Sequence, residues 1–199
     1  MPLHRWHGRR RSTVLLLLLV SSCAPGPLPP SVSLPPDAVQ GAGDPTRAAI
    51  ITTANVFAAP GSIAGQPALA ARAAAQLEYL VVEIPTGPRW WGFSPNVSLE
   101  LERARPELRA ALGIDPTAAP QAVIDSLYAA SRALTAGDRA AVDRILVPPL
   151  YPAGPVATLQ RLSALPFLPQ ANFATALAAG EMNRLDEDGG RRGFGGFRF

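Results

Sequence analysis

The fold is decided most clearly by residues 120–137, which read PQAVIDSLYAASRALTAG. Apolar and small side chains recur there at intervals of three and four, which places them on one face of a helix. Pro120 suits the first turn, where a missing N–H costs little, and Gly137 suits the position just after the last turn. The residues of this predicted buried stripe are Val123, Ile124, Leu127, Tyr128, Ser131 and Leu134.

Similar helical patterns fill residues 44–185, separated by proline and glycine. Pro85 is expected to stop the second helix, and Pro106 to kink the third or to begin a new one. Only LVVEI, residues 80–84, offers a strand as an alternative. The sequence therefore predicts an all-α domain, an irregular bundle of about six to seven short helices. Besides Pro120, the predicted helix starts are Asp44-Pro45, Pro67, Ser94-Pro95 or Ser98, Asp138, and positions near 155 and 170.

The beginning of the chain has the pattern of an export signal. Four arginines and no acid precede the apolar run from Val14 to Val20, which is far shorter than the ~20 residues of a membrane-spanning helix. The next residues complete the run Val20-Ser21-Ser22-Cys23. This run resembles the bacterial lipobox, in which an aliphatic and two small residues precede a cysteine. The resemblance implies a signal peptide over residues 1–22, cleavage before Cys23 and a lipid on that cysteine.

The same resemblance bears on where the protein is held. Ala24, rather than Asp, follows the cysteine, which is similar to the pattern that directs lipoproteins to the outer membrane, facing the periplasm. The resemblance therefore implies that the lipid anchor attaches the protein to a membrane, which is its first expected partner. Arg10-Arg11 leaves twin-arginine export open beside the general route.

Removal of the signal changes the charge of the chain and its chemistry. It takes away four of the 18 arginines and both histidines, so 14 arginines face 15 acids, a balance of −1. The basic pI therefore gives no argument for nucleic acid. Without histidine, lysine or a free thiol, the mature chain lacks a Ser-His-Asp or Cys-His centre, a lysine Schiff base and the usual zinc ligands. We expect no nucleic-acid partner, no cofactor and no metal.

Two segments of unusual composition flank the predicted domain. Residues 23–43 hold Cys23 and a proline-rich stretch, which should form an extended, semi-rigid tether. Residues 186–199 hold three acids followed by GGRRGFGGFRF and are expected to be disordered. An arginine- and phenylalanine-rich tail would suggest RNA in the cytoplasm, but an exported chain rarely meets RNA.

The aromatic loop, residues 85–95, is the most unusual segment of the domain. Arg89, Trp90, Trp91 and Phe93 lie within five positions of it. The rings either form a platform for a sugar, peptide or partner, with Arg89 pairing an anion, or fold back to plug the helical core. Because adjacent side chains diverge, we predict that Trp90 and Trp91 differ in burial.

The acids offer one further candidate. Glu83 lies nearest to the aromatic loop and is the first residue to test for carboxylate chemistry. A glycosidase needs two carboxylates about 5–10 Å apart, but Glu100 and Glu102 point about 200° apart on a helix. Arg103 and Glu107 are spaced for ordinary i,i+4 surface support. Most of the acids, Glu78 included, are expected on solvated faces.

These observations favour a non-enzymatic envelope lipoprotein, whose helical interaction module contacts an envelope protein or a cell-wall component. Two alternatives remain open. One is a carboxylate-dependent hydrolase of cell-wall glycan or peptide. The other is a small-ligand binder that uses residues 89–93.

Overall fold

The computed structural model describes residues 31–38 and 43–194, with side chains up to residue 189. Within these ranges the chain forms seven α-helices and no strand, which confirms the all-α prediction. The predicted signal peptide, Cys23 and residues 24–30, 39–42 and 195–199 of the flanking segments lie outside the described residues. The helices are α1 (Pro45–Ala58), α2 (Pro67–Thr86), α3 (Pro95–Leu112), α4 (Pro120–Thr135), α5 (Arg139–Ile145), α6 (Gly154–Ser163) and α7 (Pro169–Phe194).

Local sequence signals fix most helix ends. The Asp44 carboxylate accepts a hydrogen bond from the Thr46 N–H at 2.9 Å, and Asp138 accepts one from Ala141 at 2.9 Å. Both side chains thus satisfy N–H groups that have no partner in the first turn. Gly137 follows Ala136, the C-cap residue of α4, and adopts a φ of +71°, as its predicted role at the helix end requires.

Helix α2 forms the centre of the bundle. Residues 73–82 are all buried, because α1, α3, α4 and α6 surround this helix. Its many alanines allow the neighbouring backbones to approach closely. Helix α7 packs across α1 and α3, so the core runs through the whole bundle. No helix in the described ranges is long and apolar enough to span a membrane.

Two prolines lie inside helices, at Pro85, where the sequence predicted a helix end, and at Pro106, where it predicted a kink or a new helix. Helix α2 continues through Pro85 to Thr86, and α3 passes Pro106 without ending. Both prolines are exposed, so water can satisfy the carbonyl that loses its N–H partner. The strand alternative for residues 80–84 is wrong, because this segment lies inside α2.

Part of each flanking segment lies within the described residues. Residues 31–38, hereafter the strap, lie along α4 instead of extending freely. The Ser33 N–H donates to the side-chain oxygen of Gln121, and the side-chain nitrogen of Gln121 donates to the Ser33 carbonyl. Asp37 pairs with Arg132. At the other end α7 continues beyond Leu185 to Phe194. Part of each flanking segment therefore contacts or extends the helical body.

Candidate functional site

The aromatic loop separates its rings into two environments. Trp90 and Phe93 are 5% and 8% exposed, and their ring centroids lie 5.2 Å apart in an edge-to-face arrangement. Trp91 is 78% exposed. The predicted difference in burial between the two tryptophans is therefore confirmed. The structure does not bring the three rings together on one surface, so a three-ring platform does not form.

A short 3-10 turn, Pro88–Trp90, produces this separation. The Trp90 N–H donates to the Gly87 carbonyl at 3.0 Å, and the Phe93 N–H donates to the Trp90 carbonyl at 2.9 Å. Gly87 is needed at the start of the turn, because an added Cβ would lie 2.8 Å from the Glu83 carbonyl oxygen. The turn thus directs one tryptophan inward and the next outward.

Glu83 faces the base of the loop and is half-buried. Burial raises the pKa of its carboxyl group, and the negative charge of Asp44 acts in the same direction. The positive charge of Arg89 opposes both effects. Glu83 therefore holds a proton more readily than an exposed glutamate does.

Arg89 connects the loop to the first turn of α1. Its Nη2 lies 2.6 Å from Asp44 Oδ2, and its guanidinium carbon lies 5.6 Å from the centre of the Trp90 ring. Asp44 also caps α1. An anion that binds Arg89 would have to compete with this carboxylate, so Arg89 serves first as a link between two elements.

Helix α7 holds the other side of the loop. Arg184 Nη2 donates to the Gly92 carbonyl at 2.8 Å, and the Ser94 N–H donates to Glu181 Oε2 at 3.0 Å. Leu185 packs against Gly92, where an added Cβ would lie 3.0 Å from its Cδ2. The loop is thus held between α1 and α7 with Trp91 on its outer side.

A buried ion pair forms a second cluster that sequence analysis missed. Arg109 Nε and Nη2 donate to the two carboxylate oxygens of Glu78 at 2.6 and 2.8 Å. Arg109 Nη1 also donates to the carbonyls of Pro116 and Ala118, each at 2.9 Å. The pair therefore ties the α3–α4 connection to α2. The expectation that Glu78 lies on a solvated face is wrong, since it is fully buried.

The surface pair predicted on α3 has different partners. Arg103 bonds Glu100 at 2.6 Å rather than Glu107. Glu107 instead accepts the N–H groups of Gln170 and Ala171, at 3.2 and 2.9 Å. Because the first N–H groups of a helix have no partner within it, Glu107 acts as a cap for α7 supplied by another helix.

Of four surface cavities of 270–360 Å³, one borders the aromatic loop at Pro85 and Thr86, and the other three lie away from it. Each of the four has at most one acid in its lining, and Glu83 lines none of them. They therefore do not place two carboxylates across a cleft. No group of three metal-binding side chains occurs in the described part of the chain.

Comparisons with known proteins find no matching family model, curated protein or solved structure.

Proposed function

We propose that this protein is an exported lipoprotein, anchored through Cys23 and presenting its helical body as an interaction module of the bacterial envelope. The observation that carries the proposal is the run Val20-Ser21-Ser22-Cys23 at the end of the short apolar segment. Ser33, which bonds Gln121 on α4, lies ten residues after the cysteine. The proposal thus joins a lipid to a folded body through a short length of chain.

The loop contacts favour an interaction module over the two alternatives. Asp44 and Arg89 already pair with each other, and the two other rings of the loop are in the core, which leaves Trp91 as its exposed ring. A hydrolase needs a second carboxylate across a cleft from Glu83, and a ligand platform needs several exposed rings. An exposed Trp is typical of the residues that anchor an interface.

The test is expression of the full chain and of Cys23→Ala in a bacterial host fed radiolabelled palmitate. We expect label and processing in the parent and neither in the variant. Mild crosslinking of intact cells should then recover a specific envelope protein or a peptidoglycan fragment with the parent only. An equally labelled and processed variant would overturn the lipid anchor. A labelled parent that crosslinks to nothing specific would overturn the interaction module alone.

A further inference from the structure

Two arginines beside the strap are not explained by an anchored interaction module. Arg72 on α2 and Arg132 on α4 line one cavity of 270 Å³. At about 30 Å³ per water molecule, a cavity of this size has room for about nine waters. It therefore presents two positive charges to a space that fits a small molecule.

The strap uses only part of the hydrogen-bonding capacity of these arginines. Arg132 Nη1 donates to both carboxylate oxygens of Asp37, at 2.9 and 3.0 Å, and Arg72 Nη2 donates to the Ala38 carbonyl. A guanidinium group has five N–H donors, so both arginines keep donors for another acceptor. The Arg132 and Asp37 side chains are 51% and 54% exposed, and water weakens such a pair. A competing carboxylate can therefore replace Asp37 at small cost.

A buried hydroxyl group borders the same cavity. Tyr128 is 3% exposed and lines the cavity. The side chains of Gln76 and Arg72 lie close to its hydroxyl group, but within the described residues no group makes a hydrogen bond of ordinary geometry with it. Burial raises the pKa of this hydroxyl, and the positive charge of Arg72 acts in the opposite direction. Because buried polar groups normally have a partner, Tyr128 offers a donor that a bound oxygen atom would satisfy.

The other hydroxyl groups of the cavity are already engaged. Ser131 Oγ donates to the Ala68 carbonyl, and Thr135 Oγ1 donates to the Ser131 carbonyl, each at 2.8 Å. Since a hydroxyl has a single proton, neither group has one left for a ligand. The remaining donors belong to three side chains, those of Arg72, Tyr128 and Arg132.

We infer that this cavity, hereafter the arginine pocket, binds a small molecule that carries a carboxylate. Arg72 and Arg132 hold the carboxylate oxygens, Tyr128 donates to one of them, and the carboxylate of Asp37 leaves Arg132 in exchange. The planar guanidinium group matches the geometry of a carboxylate, as the contact between Arg132 and Asp37 already shows. Arg132 also lies in the last turn of α4, where its charge offsets the negative end of that helix. The inference is independent of the proposed anchor at Cys23.

A titration with benzoate tests the arginine pocket. The full protein is purified in detergent, labelled with ¹⁵N and followed by amide NMR signals. Benzamide is the matched control, because it has nearly the shape of benzoate and no charge. We expect benzoate to shift the signals of residues 131–136 and of Asp37 to a plateau, and benzamide to leave them unchanged.

Four variants assign the contacts. Arg132→Gln should weaken benzoate binding about tenfold or more, and Tyr128→Phe about two- to tenfold, because the first loses a charged and the second a neutral hydrogen bond. Arg103→Gln removes the same charge from an exposed pair with Glu100 on α3 and should bind like the parent. Asp37→Asn breaks the same ion pair as Arg132→Gln, yet it should bind about two- to fivefold more tightly, because an exposed competitor is lost.

The opposite effects of Asp37→Asn and Arg132→Gln separate ligand binding from a purely structural role. If the pair only fastened the strap, both variants would change the affinity for benzoate in the same direction, and that result would overturn the inference. Equal shifts with benzoate and benzamide, shifts without a plateau, or unchanged binding by Arg132→Gln would overturn it too. Unchanged affinity in Asp37→Asn overturns the exchange, and unchanged affinity in Tyr128→Phe overturns the role of the hydroxyl. None of these results bears on the lipid anchor.

Discussion

At the residue scale, one turn buries the side chain of Trp90 and exposes that of its neighbour Trp91. Trp90→Ala should lower the free energy of unfolding by about 3–5 kcal/mol, because it leaves a large cavity beside Phe93. Trp91→Ala should change it by no more than about 0.5 kcal/mol. Urea unfolding of the two variants measures both values. Similar large losses in both would mean that Trp91 also supports the core.

Because the pKa of Glu83 is raised in the folded protein, the free energy of unfolding depends on pH in a direction that can be predicted. The folded state holds the proton more tightly than the unfolded state does, so this group stabilises the fold at acidic pH. That contribution is lost as the pH rises from the ordinary value of 4.5 through the higher folded pKa. The neutral variant Glu83→Gln should therefore gain stability relative to the parent as the pH rises.

Thermal unfolding across this pH range checks the prediction, with Glu102→Gln as the control because Glu102 is exposed on α3. The control should follow the parent closely. A Glu83→Gln variant that loses stability relative to the parent with rising pH would show that the folded state stabilises the carboxylate instead.

The sequence patterns predicted those features that depend on residues close together along the chain. The caps at Asp44 and Asp138 and the glycine after α4 were all visible in the sequence. The pairing of Glu78 with Arg109 was not, because 31 residues separate them. The one available signal was an acid on a helix otherwise rich in alanine and leucine, since a fully buried carboxylate requires a partner.

At the scale of elements, this pair joins three parts of the bundle. Arg109→Met should cost about 3–5 kcal/mol of stability, because it leaves Glu78 buried without its bidentate partner. Adding Glu78→Leu should recover much of that loss, since two apolar side chains of similar size replace the charges. Denaturant unfolding of the single and double variants measures the two changes in the free energy of unfolding. A double variant as unstable as the single one would contradict this recovery. It would show that the contacts of Arg109 with the α3–α4 connection dominate, or the loss of Glu78 as the partner of Arg105, whose Nε lies 3.4 Å from Glu78 Oε2.

The cap supplied by Glu107 is a second link between elements. Glu107→Ala should lower stability by about 0.5–2 kcal/mol, as loss of a helix cap does. Glu102→Ala, on the exposed side of the same helix, should stay within about 0.5 kcal/mol. Chemical denaturation of the two variants gives the comparison. Equal effects would contradict the capping role and indicate a general charge effect on α3.

The sequence predicted where the helices lie along the chain, but not which helices pack against each other. Proline and capping residues mark where each helix begins, and both are local signals. Pro85 was predicted to end α2 and Pro106 to kink α3 or begin a new helix, yet both helices continue through them. The sequence alone does not show that both prolines face solvent. Glu107 caps α7 because α3 and α7 pack antiparallel, and this packing is a property of the assembled bundle.

At the scale of the whole molecule, contacts between distant segments set the extent of the folded body. The strap contacts α4 through Ser33 and Asp37, and Ala38 is buried among core residues. These contacts reduce the length of chain between Cys23 and the body. A composition rich in proline indicated an extended backbone there, and the structure adds that part of it is docked.

The proposed function depends on a lipid attached to Cys23. Mass spectrometry of the amino-terminal peptide, released from protein isolated from bacterial membranes, detects that lipid. We expect a peptide that begins at Cys23 and carries a thioether-linked diacylglycerol. A peptide that begins at another residue, or a Cys23 with a free thiol, would overturn the lipid anchor.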